Sequence, residues 1–360
     1  MENTKIPVAV LGATGAVGQR FVQLLASHPW FELQALLASE RSAGQRYADV
    51  CRWIIPGDPP PDVGKIPVIS FSSFFSSSSS EPSLPVQVVF SALPSDVARE
   101  VEPRFARAGY VVCSNASAFR YDPDVPLLIP EVNADHVALV ERQRNRYGSG
   151  FIVTSPNCTT TGLVFPLKPL DDAFGVRKVF AVTMQAVSGA GHPGVSSLDI
   201  LGNIVPYIRG EEEKIEQETR LLLGRIVDGQ RIEANVVISA QANRVPVLDG
   251  HTVCMSLAFE RRPTVEEALA ALNDFRPQPI IQELPSAPER PLLVRTEPDR
   301  PQPRRDRDAE AGMAVSVGRV RSCPLLDLRM LSVVHNTLRG AASGSILNAE
   351  LLVAQGYVER

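Results

Sequence analysis

The sequence predicts an α/β protein built on a doubly wound parallel sheet and joined to a second domain of the α+β type. Three observations carry that expectation. Ile6–Leu11 is a short apolar run that ends directly in the glycine turn Gly12-Ala13-Thr14-Gly15-Ala16-Val17-Gly18, and a helical pattern through Phe21, Leu24 and Leu25 follows. Strand-like runs at 31–38, 86–91 and 110–114 then alternate with helical segments such as 95–108, the order that yields parallel strands with crossovers. From Phe151 the pattern changes to a strand through Thr154, a Pro156-Asn157-Cys158 turn, a helix over 160–167 and a long strand over 176–187.

A chain of 360 residues exceeds what one hydrophobic core usually holds, so two domains are expected. We divide it into a first domain over 1–157, which carries the glycine turn, and a second domain over 158–340. The tail beyond Gly344 has apolar residues at helical spacing and is expected to pack back on a domain as a helix within 341–360. The segment Ser70-Phe71-Ser72-Ser73-Phe74-Phe75, running into the serines at 76–80, has no periodic face and is expected to be a surface loop.

Composition excludes several functions. With 44% apolar and 21% charged residues the chain is ordinary for a globular protein. A net charge of -4 gives no electrostatic reason to bind nucleic acid or an anionic membrane. No apolar run is long enough to span a bilayer, and the first one is too short for a signal-peptide core, so a cytoplasmic setting is expected. Arginines across 285–307 alternate with acids, which argues against a nucleic-acid arm. The five cysteines are scattered and odd in number, which makes neither a disulfide framework nor a zinc site. The expected partner is a small molecule.

Glycines at 12, 15 and 18 let the backbone turn sharply and approach a pyrophosphate at a helix N-terminus, where unpaired N–H groups and the helix dipole favour an anion. The end of the second strand reads Ser39-Glu40-Arg41-Ser42. An acid there suits NAD, but two hydroxyls and an arginine suit a 2′-phosphate, so NADP is favoured. Cys158 follows a strand and opens a helix, where the helix terminus stabilises a thiolate and lowers the thiol pKa; position alone also allows a buried structural cysteine. His251, one of only five histidines, can exchange protons near neutral pH or serve the fold. Glu211 and Lys214, one helical turn apart, make either a solvated helix start or an anion–cation pair for a zwitterionic or phosphorylated ligand.

The glycine turn, Ser155-Pro156-Asn157-Cys158-Thr159, Gly210-Glu211-Glu212-Glu213-Lys214 and Asn243-Arg244-Val245-Pro246-Val247-Leu248-Asp249-Gly250-His251 occur in an order and spacing that resembles the aspartate-semialdehyde dehydrogenase family, in its archaeal and fungal-type branch. The resemblance spans almost the whole chain. It implies a Rossmann-like first domain, with the C-terminal helix returning to it, and reversible NADPH-dependent conversion of L-4-aspartyl phosphate to L-aspartate 4-semialdehyde and phosphate, on the route to lysine, methionine and threonine. It further implies a homodimer or homotetramer.

By that resemblance Cys158 displaces phosphate to form a thioacyl-enzyme, and His251 supplies and removes protons. Asn157 and nearby backbone N–H groups are candidates to hold the oxyanion, and Gln185 orients the thioester carbonyl. Arg244 grips the α-carboxylate, Glu211 meets the α-ammonium, and Lys214 and Arg120 attract phosphate with help from Asn115. Contacts to NADP are implied at Gly12, Thr14, Gly15, Ala16, Val17, Gly18, Ser39, Arg41, Ser42, Ser91, Ala92, Leu93, Ser188, Gly189 and Asn336. Two alternatives remain open on the motifs: a malonyl-CoA reductase of the same branch, and a non-catalytic nucleotide-binding relative.

Overall fold

A computed structural model describes residues 4–76 and 84–359. Its first sheet comprises β1 (Ile6–Leu11), β2 (Phe31–Ala38), β3 (Val68–Ser70), β4 (Val88–Ser91), β5 (Val111–Ser114) and β6 (Phe151–Thr154). The spatial order is β3-β2-β1-β4-β5-β6, every neighbouring pair parallel. These strands read as near-continuous apolar runs because both faces are covered. Order reverses between β1 and β4, which opens a crevice at their C-terminal ends, the usual ligand position of such sheets.

Helices α1 (Ala16–Leu25), α2 (Phe71–Ser76) and α3 (Ser95–Arg107) pack against this sheet. The expected loop at 70–75 is corrected here: Phe71–Ser76 is helical, and Phe74 is buried. Its ring stacks on Phe105 at a centroid distance of 4.6 Å and lies 5.8 Å from Tyr110. Alternating Ser and Phe conceal one buried aromatic in a short turn, which no periodicity reveals. Serines 77–80 lie outside the described residues.

The second layer begins with α4 (Cys158–Phe174), which runs well past the expected 160–167. Burial of Leu163, Val164, Leu167 and Leu170 outweighs the loss of backbone bonds at Pro166 and Pro169. There follow β7 (Val176–Gln185), α5 (Glu211–Leu222), the hairpin β8 (Arg225–Val227) and β9 (Gln230–Ile232), β10 (Val237–Arg244), β11 (His251–Phe259), α6 (Val265–Asp274), β12 (Leu292–Arg295), β13 (Val315–Ser322) and β14 (Leu328–Val334). They form a mixed sheet in the order β10-β7-β11-β14-β13-β12. β7 ends at Gln185, two residues before the expected end, because the Ala186 N–H is taken by His251. One face of the sheet is covered by α4 and α6, while Phe180 and Val237 on β7 and β10 stay exposed.

The last helix, α7 (Ser343–Ala354), returns to the first sheet as expected. Ile346, Leu347, Leu351 and Leu352 join the core cluster of Val8, Val10, Phe90 and Val111. The Arg-rich stretch folds inward on buried Asp306, which takes Arg295 and Arg300. No helix of the described residues is long and apolar enough to cross a membrane.

Replacing Phe74 with alanine should lower the unfolding free energy by about 3–5 kcal/mol, as loss of a buried phenyl does. Urea denaturation followed by far-UV circular dichroism measures it; a change under about 0.5 kcal/mol would return the segment to the surface.

Candidate active site

The glycine turn divides three tasks. Gly12 has φ +74°, and a Cβ there would lie 2.8 Å from the Ala92 carbonyl oxygen. At Gly18 a Cβ would meet the Gly12 carbonyl oxygen at 2.2 Å, so this glycine lets α1 pack close to the strand. Gly15 has nothing nearer than 3.5 Å, leaving the backbone open to a ligand. Gly15 is also the N-cap of α1 and provides no side-chain cap, so the first-turn N–H groups of Ala16, Val17 and Gly18 are available to an anion. That cradle fits a dinucleotide pyrophosphate. Thr14 holds the turn, its carbonyl accepting from Gln19 Nε2 at 3.0 Å.

At the end of β2, Ser39 precedes a 3-10 turn over Glu40–Ser42, and Arg41 is exposed. Glu40 faces the other way. Its carboxylate accepts the Ser72 N–H at 3.3 Å, and hydrogen bonds from Ser72 and Ser70 hold it below the usual carboxylate range. Ser91 is fully buried, so its side chain faces the protein interior, whereas Leu93, two residues on, reaches the second cavity described below. Ala92 closes the turn, its N–H bonded to Leu11 O at 2.9 Å.

A cavity of about 430 Å³ lies beside this turn, with Ala16, Arg20, Ser188, Leu248 and Thr337 in its walls. Asn336 links its sides, donating from Nδ2 to Ser188 Oγ at 2.8 Å and accepting the Gly250 N–H at Oδ1 at 2.8 Å.

A second cavity, about 410 Å³, contains Cys158, Asn157, Gln185, Gly189, Asn115, Arg120, Glu211, Lys214 and Arg244. The fold thus brings the sequence-predicted substrate residues into one place. His251 lies just behind, its Nε2 3.2 Å from Cys158 Sγ. The proton on that ring can be located from its neighbours. The Ala186 N–H donates to Nδ1 at 3.0 Å, so Nδ1 carries no proton and the neutral ring holds it on Nε2, facing the sulfur. The same residue, at its carbonyl in the following peptide, accepts Arg244 Nη1 at 2.7 Å. Gly189 lies against both, since a Cβ there would sit 2.9 Å from Arg244 Nη1 and 3.0 Å from His251 Cε1.

Burial decides both protonation states. Desolvation, reinforced by Arg244 and His335, pushes His251 down to about 3. Desolvation and then Glu211 push the Cys158 thiol up to about 12, against the opposing pull of Arg120, Arg244 and the Thr159 N–H. This corrects the expected thiol depression: a helix terminus contributes a fraction of a charge, and the Thr159 N–H that reaches the sulfur is shared with Asn157 Oδ1. Asn157 Oδ1 caps α4 by accepting from the Thr159 and Thr160 N–H groups at 2.8 and 3.1 Å. The expected oxyanion role is therefore narrowed, because Asn157 Nδ2 also donates to Glu211 at 2.9 Å and its own N–H goes to Glu218 at 2.6 Å. Gln185, almost fully buried, donates to Thr183 Oγ1 at 3.3 Å from the cavity wall.

Asn115 Nδ2 is buried with no protein partner, a donor left for a ligand. Arg120 is held by the Asn115 carbonyl at 2.8 Å, and Lys214 Nζ lies 3.8 Å from Glu211. Sequence reasoning missed three neighbours. Arg209 lines the same cavity. Glu218 lies on the Glu211 and Lys214 face, seven residues on, so extending that pair by another turn would have found it. Gly340 sits in a π-helical turn, Leu338–Ala342, against the back of the nucleophile; nothing in the sequence signals that contact.

A thiol at the mouth of a dinucleotide fold puts the chain among nucleotide-dependent dehydrogenases. Two family models narrow that class: residues 7–140 match semialdehyde dehydrogenase, NAD binding domain, and residues 167–339 match semialdehyde dehydrogenase, dimerisation domain. The chain belongs to the aspartate-semialdehyde dehydrogenase family. The family member of Archaeoglobus fulgidus is 51% identical over 353 residues, covering 98% of this chain and 99% of that one. That of Cryptococcus neoformans is 46% identical over 369 residues, 99% of each. The solved structure of aspartate semialdehyde dehydrogenase with NADP from Candida albicans superposes with a TM-score of 0.89 at 43% identity, over 99% of this chain and 100% of that chain. The archaeal and fungal resemblance read from the motifs holds.

Two outcomes follow from this geometry. A Cβ on Gly340 would fall 2.6 Å from Cys158 Cβ, so Gly340→Ala must displace the nucleophile. Turnover per folded molecule should fall about 10- to 100-fold, with stability lowered by about 1–3 kcal/mol as for overpacking. Unchanged turnover would mean the contact relaxes harmlessly.

The second concerns pH. Folding lowers the imidazole's proton affinity, so the stability His251 contributes is present above its ordinary value of 6.5 and is lost as pH falls from there toward about 3. Between pH 7 and pH 5 the wild type should lose about 2 kcal/mol more than His251→Asn in urea unfolding. Equal losses would show that the ring is not buried neutral.

Proposed function

We propose that the chain catalyses the reversible, NADP-dependent reductive dephosphorylation of L-4-aspartyl phosphate to L-aspartate 4-semialdehyde and phosphate. The observation that carries it is the Cys158–His251 pair in a cavity whose walls also hold Arg120, Lys214, Glu211 and Arg244. That charge pattern matches an amino acid bearing an acyl phosphate. Arg244, with Nη1 committed to Ala186, offers its remaining donors to the α-carboxylate. Glu211 meets the α-ammonium. Lys214, Arg120 and the unpartnered amide of Asn115 receive the phosphate.

A thiol raised by burial attacks as its proton leaves. Cys158 Sγ bonds to the acyl carbon, the bond from carbon to phosphate oxygen breaks, and the departing phosphate dianion takes the thiol proton. This route spares His251 from acting as base toward sulfur, which its occupied Nδ1 disfavours. Gly12, Gly15, Gly18 and the first turn of α1 would hold NADPH, with Ser39, Arg41 and Ser42 at its 2′-phosphate, and the bound cofactor would supply hydride for reduction of the thioester. His251 Nε2–H and the wall of Gln185 then receive the developing alkoxide. Carbon–sulfur cleavage releases the aldehyde and a thiolate, which regains a proton from water.

The malonyl-CoA alternative leaves Glu211 without an ammonium partner. We also propose a homodimer or homotetramer in the cytosol. Support comes from the family's dimerisation domain, the exposed Phe180 and Val237, and five unpaired cysteines.

A paired assay tests the reading. NADP reduction should require both aspartate semialdehyde and phosphate, and Cys158→Ala should reduce turnover by at least about 10⁴-fold, comparable with loss of a nucleophile. NADPH oxidation with malonyl-CoA instead, or full turnover without Cys158, would overturn it.

A further inference from the structure

Glu218 is completely buried, yet it is a carboxylate beside a substrate cavity. Its two oxygens serve different masters. Oε1 accepts from Arg120 Nη1 at 2.8 Å, and Oε2 accepts the Asn157 backbone N–H at 2.6 Å. Arg120 belongs to the anion-binding wall, and Asn157 immediately precedes the nucleophile. One carboxylate therefore joins the cation that would hold phosphate to the backbone that carries the attacking sulfur.

An ion pair in the interior is expensive to desolvate, and apolar residues of similar volume often fold as well. Packing alone gives little reason for a charge here. The carboxylate does two things an apolar side chain cannot: it aims the planar guanidinium, and it pins the peptide before Cys158. Glu211 pins the same asparagine through its side chain, so α5 grips Asn157 at two points one face apart by two helical turns. Glu211 would also meet substrate; Glu218, enclosed at full depth, acts only through others.

We propose that Glu218 is a positioning residue for the phosphate half-reaction, fixing the distance between the phosphate on Arg120 and the sulfur of Cys158. This rests on the reading of Arg120 as a phosphate partner. Glu218 touches neither the amino-acid end of the substrate nor the nucleotide, so those affinities stay put.

Steady-state kinetics of the full chain in the phosphorylating direction test it, with inorganic phosphate as the varied probe. Glu218→Gln keeps an oxygen for the Asn157 N–H but turns an amide toward Arg120. Its KM for phosphate should rise about 10- to 100-fold, the size of a lost hydrogen bond to a charged group. KM for aspartate semialdehyde and for NADP should stay within about twofold, and Glu218→Asp should recover part of the loss. With Arg120→Ala already present, adding Glu218→Gln should raise the phosphate KM little further, since coupled residues are not additive. If Arg120→Ala leaves the phosphate KM unchanged, the phosphate reading of Arg120 fails. If Arg120→Ala raises it and Glu218→Gln does not, the positioning role alone is overturned. It is equally overturned if Glu218→Gln lowers only thermal stability, or raises all three KM values together. Should Glu218→Gln not fold, Glu218→Asp carries the test: a selective rise in phosphate KM supports the proposal, and no selective rise ends it.

Discussion

Asn157 stands between β6, the last strand of the first sheet, and α4, and each kind of hydrogen-bonding group it has is engaged. Its N–H goes to Glu218, its Oδ1 caps two N–H groups of α4, its Nδ2 goes to Glu211, and its carbonyl accepts the Thr161 N–H at 3.0 Å. A helix start normally leaves its first N–H groups to water or a side chain. Here one side chain satisfies two of them and ties the start of α4 to α5 across the cavity. The position of the sulfur is thus set by three elements at once: β6 that leads to it, α4 that it opens, and α5 across the cavity. Without that cap, the thiol would stand at a frayed terminus.

The same enclosure sets the chemistry. A thiol and an imidazole 3.2 Å apart suggest an ion pair, but each is pushed toward its neutral form by burial. The Ala186 peptide reinforces this, because its N–H occupies the one nitrogen an imidazolium would also need to protonate. Arg244, bonded to the carbonyl of the same residue, adds positive charge beside the ring. Neutral partners suit an enzyme whose substrate arrives with its own phosphate dianion and so brings both the base and the anion.

Much of this was legible in the sequence where a residue type has one physical use at one position. The three glycines fit that description: one positive φ, one open approach and one close packing, each visible as spacing. Cys158 after Pro156-Asn157 was legible for the same reason. What stayed hidden depends on contacts across the fold. Glu218 reads as one more acid on a solvated helix until Arg120, 98 residues earlier, is folded against it. Phe74 reads as part of a polar run until Phe105 covers it. The raised thiol is hidden too, because local sequence speaks for the helix terminus and says nothing about depth.

Gly340 shows why the tail must return. The π-helical turn over Leu338–Ala342 is fixed by Arg339, whose guanidinium meets Glu131 through both oxygens at 2.8 and 2.6 Å and lies 4.6 Å over the Phe165 ring. Glu131 belongs to the first domain and Phe165 to α4, so this single side chain clamps the C-terminal segment to both. Helix α7 continues from that clamp into the core of the first sheet. The back wall of the nucleophile is therefore built by the last segment of the chain, held by interactions with both domains. A π-turn widens the helix by one residue, and here that widening brings a glycine backbone, rather than a side chain, against the cysteine.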